Sequence, residues 1–96
     1  MATRRTRDLE AALTTKGFHQ DNNHHEMYRL YVGGRKTSVR TYISHGKSEY
    51  GDNLLGQIAR QVKLRRAELD DLVDCPLDGE AYAALLIQRG HVKLPS

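Results

Sequence analysis

The sequence predicts a small α+β domain. Three observations carry that prediction: two β-compatible runs joined by Gly33-Gly34, amphipathic stretches at helical spacing on either side of them, and a length of 96 residues that supports one core and not two. Apolar residues make up 39% of the chain and charged residues 28%, a balance that suits a folded globule. A single domain over residues 1–96 is expected.

Residues 6–16 read as a first helix because Leu9, Ala12, Leu13 and Lys16 fall at helical spacing, with Asp8 and Glu10 near the positive end of the helix dipole and Gly17 as its stop. Phe18, the one phenylalanine, anchors that helix to the sheet, and a short strand fits around residues 17–20. Asp21 to His25 is too polar for a strand interior and reads as a turn. A strand is expected from His24 to Val32 and a second from Arg35 to Ile43. Period-two alternation puts Tyr28, Leu30, Val32, Val39, Thr41 and Ile43 on an apolar face. His25, Met27, Arg29, Tyr31, Lys36, Ser38, Arg40 and Tyr42 fall on a basic, aromatic face.

Asp52 or Asn53 is the expected cap of a second helix with the stripe Leu54, Leu55, Ile58, Ala59 and Val62. A third helix is predicted over residues 66–74, where Leu69, Leu72 and Val73 recur ahead of Pro76. Asp78 opens a fourth, carrying Ala81, Tyr82, Leu85 and Leu86, which Gly90 closes. The ends, Met1 to Arg5 and His91 to Ser96, are expected to fray.

Charge is divided along the chain. Residues 1–65 carry twelve Lys or Arg against six Asp or Glu, whereas residues 66–96 carry three against six. The front two thirds suit a polyanion, although surface solubility explains the same asymmetry equally well. No run approaches the roughly 18 apolar residues of a membrane helix, and the amino-terminal segment lacks the apolar stretch of a signal peptide, so no membrane partner and a cytoplasmic location are expected. The lone Cys75 forms no internal disulfide, and Asp74 and Pro76 beside it do not lower a thiol pKa, so it reads as a packing residue.

The five histidines are the most informative residues, since imidazole alone exchanges protons near neutrality without perturbation. Ribonuclease chemistry without a metal needs such a group beside cationic donors, to take the ribose 2′-hydroxyl proton and to stabilise charge on the phosphate. His24 and His25 open a predicted strand whose hairpin carries Arg29, Lys36 and Arg40. An adjacent His pair is nevertheless more often a solvent-facing or locally bonded feature than a catalytic one. No metal site or cofactor is expected: neighbours on a strand point to opposite sides, and no Cys or His recurs nearby at ligand spacing. The segment Ser44-His45-Gly46-Lys47 stands between strand and helix, where His45 and Lys47 suit a phosphate, or where the chain simply turns. Gly33-Gly34 lacks the pattern of a nucleotide-binding loop.

Taken together, Gly17-Phe18, Asn22-Asn23-His24-His25, the glycine hairpin, His45-Gly46 and the helix from Leu54 with Ile58 and Arg60-Gln61 resemble the HicA toxin family. The resemblance covers residues 6–64. It implies a double-stranded-RNA-binding-like core of one helix, three antiparallel strands and a second helix, with residues 65–90 as a helical extension to which it assigns no role. It also implies messenger-RNA interferase activity and a HicB-like antitoxin partner. The family's catalytic histidine follows a Gly-Ser at the start of the second strand, and the matching residue is His24, preceded here by Asn22-Asn23 in place of Gly-Ser. A β-bulge would transfer the role to His25. Arg29, Lys36, Arg40, His45 and Lys47 are the expected RNA contacts. A noncatalytic RNA-binding module and a protein-interaction element are the alternatives.

Overall fold

A computed structural model describes residues 3–24, 26–44, 46–74 and 76–92. The elements follow in the order β1 (Arg4–Arg5), α1 (Thr6–Thr15), β2 (Phe18–Gln20), β3 (Met27–Val32), β4 (Arg35–Tyr42), β5 (Glu49–Tyr50), α2 (Asp52–Gln61), α3 (Arg66–Asp74) and α4 (Gly79–Gln88). The chain is thus an α+β domain. Among the described residues no helix is long and apolar enough to cross a membrane.

The hairpin forms where the glycines predict it. Gly33 and Gly34 take φ of 59° and 77°, the positive pair that a two-residue turn between twisted strands requires. An antiparallel sheet results in the order β2-β3-β4. One face buries Phe18, Tyr28, Leu30, Val39, Thr41 and Ile43 against Leu9 and Leu13 of α1 and Leu55 and Ile58 of α2. Thr41 is fully buried and donates its hydroxyl to Gln61 Oε1 at 2.6 Å, so the polar group on this face costs little.

Helices α3 and α4 are part of the same core. Leu69, Leu72, Tyr82 and Leu86 are at most 1% exposed, the Tyr82 ring stacks on Phe18 at 6.0 Å, and its hydroxyl donates to the Val62 carbonyl at 2.7 Å. Three of the four acidic residues of α3, Glu68, Asp70 and Asp74, are paired within the molecule. Arg4 reaches Asp74 at 2.6 Å and Asp70 at 3.1 Å, Arg66 pairs with Asp70, and Arg89 reaches Glu68 at 2.6 Å.

Several expectations need correction. Arg4 and Arg5 are not frayed: they pair antiparallel with Tyr50 and Glu49, and Thr6 N–H donates to the Ser48 carbonyl. Helix α2 is capped at Gly51 and not by the side chain of Asp52 or Asn53. Val92 is buried, so ordered packing extends past Gly90. Strand β3 starts at Met27, three residues later than His24. Asp78 caps α4 as expected, accepting from Ala81 N–H at 2.7 Å. Cys75 lies outside the described residues.

Candidate nucleic-acid interface

Among the described residues no helix covers the second face of the three-stranded sheet, and its residues are exposed or half-buried. Register decides what stands together there. His19 pairs with Arg29 and Arg29 with Arg40, so one row across β2, β3 and β4 holds an imidazole and two guanidinium groups. Like charges directly opposite on an antiparallel pair destabilise it, so Arg29 facing Arg40 calls for an anion. The strands themselves supply none, because β2, β3 and β4 contain no Asp or Glu.

The two arginines are not equivalent. Register slips between Arg29 and Tyr31, which face Arg40 and Lys36, so that β4 has two extra residues there. Arg29 donates Nη1 to the Thr37 carbonyl at 3.0 Å, and its buried Nε has no partner. Thr37 donates its own hydroxyl to the Leu30 carbonyl. Arg29 therefore braces the bulge with part of its donor fork, whereas the exposed Arg40 has its full fork to offer a phosphate.

Aromatic rings frame this row. His19 lies edge-on to Tyr31 with centroids 4.7 Å apart, the diagonal contact expected when Arg29 is its direct partner. At the other end Met27 pairs with Tyr42, and Tyr42 meets His24 with centroids 5.5 Å apart. Bases stack on such rings irrespective of sequence, while arginines take the backbone.

His24 is held differently from the expectation. It belongs to the loop between β2 and β3, which Asp21 N–H closes onto the Met27 carbonyl. The Asp21 carboxylate accepts from Asn23 N–H at 2.7 Å and from His24 N–H at 3.0 Å, an Asx turn. Asn22 and Asn23 do not use positive φ, so Asp21, and not an asparagine mimicking glycine, sets the loop. The signal was in the sequence, since an Asp followed by two Asn favours capture of the following amides. His24 is exposed at the rim of the open face and does not follow strand alternation.

Of the other expected residues, Lys36 lies on the open face opposite Tyr31, four residues along β4 from Arg40 and away from His24. Lys47 lies past β4 beside the start of α1, its carbonyl accepting the Thr6 hydroxyl. His25 and His45 lie outside the described residues. His19 was not among the expected contacts, although its place after the core residue Phe18 assigns it to the open face by alternation. Among the described residues, no three His, Cys, Asp or Glu side chains form a metal-binding group. Comparison with protein-family models, with curated proteins and with solved structures finds no significant match to this chain.

Proposed function

We propose that this chain binds RNA on the open sheet face and cleaves it as a HicA-like endoribonuclease, with His24 as the proton-transfer residue. The observation that carries the reading is the opposed pair Arg29 and Arg40, in row with His19 and between two tyrosines, on strands free of carboxylates. The run α1-β2-β3-β4-α2 follows the order of the double-stranded-RNA-binding-like core that the family resemblance implies.

In the proposed reaction Arg40, seconded by Arg29, holds the scissile phosphate and stabilises its developing charge. His24 removes the 2′-hydroxyl proton. The 2′-oxygen attacks phosphorus, the bond from phosphorus to the 5′-oxygen breaks, and that oxygen leaves with a proton from solvent. The products are a 2′,3′-cyclic phosphate and a 5′-hydroxyl. Such chemistry needs no metal. Messenger RNA in the cytoplasm is the proposed substrate, and a HicB-like antitoxin the partner that restrains it.

A second reading, RNA binding without cleavage, is favoured by one observation. The ring contact of His24 is with Tyr42, and Asp21 bonds the His24 backbone, so among the described residues no carboxylate orients the imidazole.

Incubation of the purified protein with single-stranded RNA in EDTA separates the possibilities. Fragments ending in 2′,3′-cyclic phosphate, and resistance of a substrate with one 2′-deoxy nucleotide at the scissile position, support cleavage by this route. Binding without fragments supports the second reading. No binding refutes both and leaves a protein-interaction element.

A further inference from the structure

We infer that Arg5, Arg7 and Lys47 form a second phosphate-binding station, which holds the backbone of the same RNA strand beyond the sheet face; this rests on the RNA binding proposed above. Arg5 and Arg7 flank Thr6, whose N–H donates to the Ser48 carbonyl and whose hydroxyl donates to the Lys47 carbonyl. That pair of bonds fixes the segment after β4 against the start of α1. Arg5, Arg7, Lys47 and Ser48 consequently line one cavity, in which Glu10 is the one carboxylate among the described residues.

The cavity adjoins the interface already described. Lys47 also lines a cleft between β4 and α2 together with Tyr42, Ser44, Tyr50 and Gln57, and Glu26 is the one acidic residue there. Tyr42 is the ring that touches His24. A strand lying along His24 and Tyr42 thus has a polar path past Lys47 to the two arginines.

The ion-pairing pattern distinguishes these cations from others in the molecule. Arg4, Arg66 and Arg89 each form ion pairs with carboxylates of α2 or α3. Among the described residues Arg5, Arg7 and Lys47 have no such partner, and all three are exposed. The helix end is not what recommends the site, since the Thr6 amide is already engaged. Three unpaired cations around one cavity suit the phosphodiester backbone, whose binding releases counterions and is independent of sequence.

The test compares the full chain with an Arg5→Gln, Arg7→Gln, Lys47→Gln variant, shown to be folded by circular dichroism. The probes are oligouridines of about 4 and about 12 nucleotides, one at the short end of the usual range for single-strand sites and one well inside it. Their 2′-O-methyl groups prevent the proposed cleavage. For the longer probe, the slope of log affinity against log salt should become shallower by about 2, from three contacts at ~0.7 each. The shorter probe should bind both proteins alike. Equal slopes and affinities for the longer probe would overturn the station, and so would an equal loss for both probes, which would place these cations on the sheet site itself. Failure of the wild type to bind either probe overturns the RNA proposal and this site with it. If the triple variant does not fold, Lys47→Gln alone should reduce the longer probe's slope by about 0.7, and an unchanged slope would overturn the station.

Discussion

The imidazole of His24 and the phenol ring of Tyr42 meet edge to face, their centroids 5.5 Å apart and their planes inclined by 71°. Tyr42 remains 41% exposed, the one large hydrophobic side chain so exposed among the described residues. A ring held at the rim of a basic sheet face and left open to solvent is suited to stack a base next to the proposed proton-transfer group.

Tyr42→Ala should therefore weaken RNA binding by about 1 to 3 kcal/mol, the usual worth of one base-stacking ring. Its effect on folding stability should stay within about 0.5 kcal/mol, as for other exposed positions. Tyr42→Phe should preserve both. Fluorescence anisotropy with labelled RNA and urea denaturation supply the two readouts, and an unaltered affinity for Tyr42→Ala would remove the stacking role.

Two helix ends in this protein use the same cap with different residues. After α4, His91 N–H bonds the Leu86 carbonyl and Gly90 N–H bonds that of Ile87, with Gly90 at φ 80°. After α2, Leu64 N–H bonds the Ala59 carbonyl and Lys63 N–H that of Arg60, but the left-handed position is taken by Lys63 at φ 66°. A side chain in this conformation costs about 1 kcal/mol. Lys63→Gly should stabilise the protein by that amount. Gly90→Ala should destabilise it comparably and by conformation alone, because a Cβ there meets nothing within 4 Å. Urea midpoints that shift in neither variant would contradict this account of the caps.

Acid should loosen the contact between α3 and α4. Glu68 accepts from Arg89 at 3.0 and 2.6 Å and from Arg65 N–H at 2.8 Å. The Arg89 guanidinium first, and the Arg65 amide second, hold its carboxyl at about 2, below the ordinary 4.5. The folded state thus favours the ionised form. Stability from this group is complete above about 4.5 and is lost as pH falls through about 2. Glu68→Gln should be less stable than wild type at neutral pH, and the difference should shrink as pH is lowered across that window. Asp70 moves in the same direction: its burial opposes ionisation, but the hydrogen bonds of Arg66 and Arg4 outweigh it. Asp74 is lowered by its bond to Arg4. Comparing wild type with Glu68→Gln at each pH isolates the one group, and a difference that stays constant from neutral pH to 2 would contradict the assignment.

Much of the fold was legible because it follows from local pattern. The alternation that marks Tyr28, Leu30, Val39, Thr41 and Ile43 is the face that buries, and α3 spans residues 66–74 as its spacing predicts. The pair β1 and β5 was not legible, since Arg4-Arg5 and Glu49-Tyr50 carry no strand pattern and are brought together by bonds between residues more than forty apart. Nor was the late start of β3, which follows from Asp21 taking the Asn23 and His24 amides in competition with a sheet ladder. For the candidate interface, the basic and aromatic face was readable from alternation. The row of His19, Arg29 and Arg40 was not, because it depends on register between three strands and on a bulge. That Arg5 and Arg7 have no ion pair among the described residues likewise emerges only when Arg4 is seen turned toward α3.

The central claim is that His24 moves the proton of the ribose 2′-hydroxyl, and single-turnover cleavage of RNA by wild type and His24→Ala tests it most directly. His24 is exposed on a loop and contributes no core packing, so the variant should fold and bind RNA nearly as the wild type does. Its cleavage rate should fall by roughly 10²- to 10⁴-fold, the scale of general acid–base catalysis, while His25→Ala, measured alongside, should cut at close to the wild-type rate. Equal rates for wild type and His24→Ala would contradict the account.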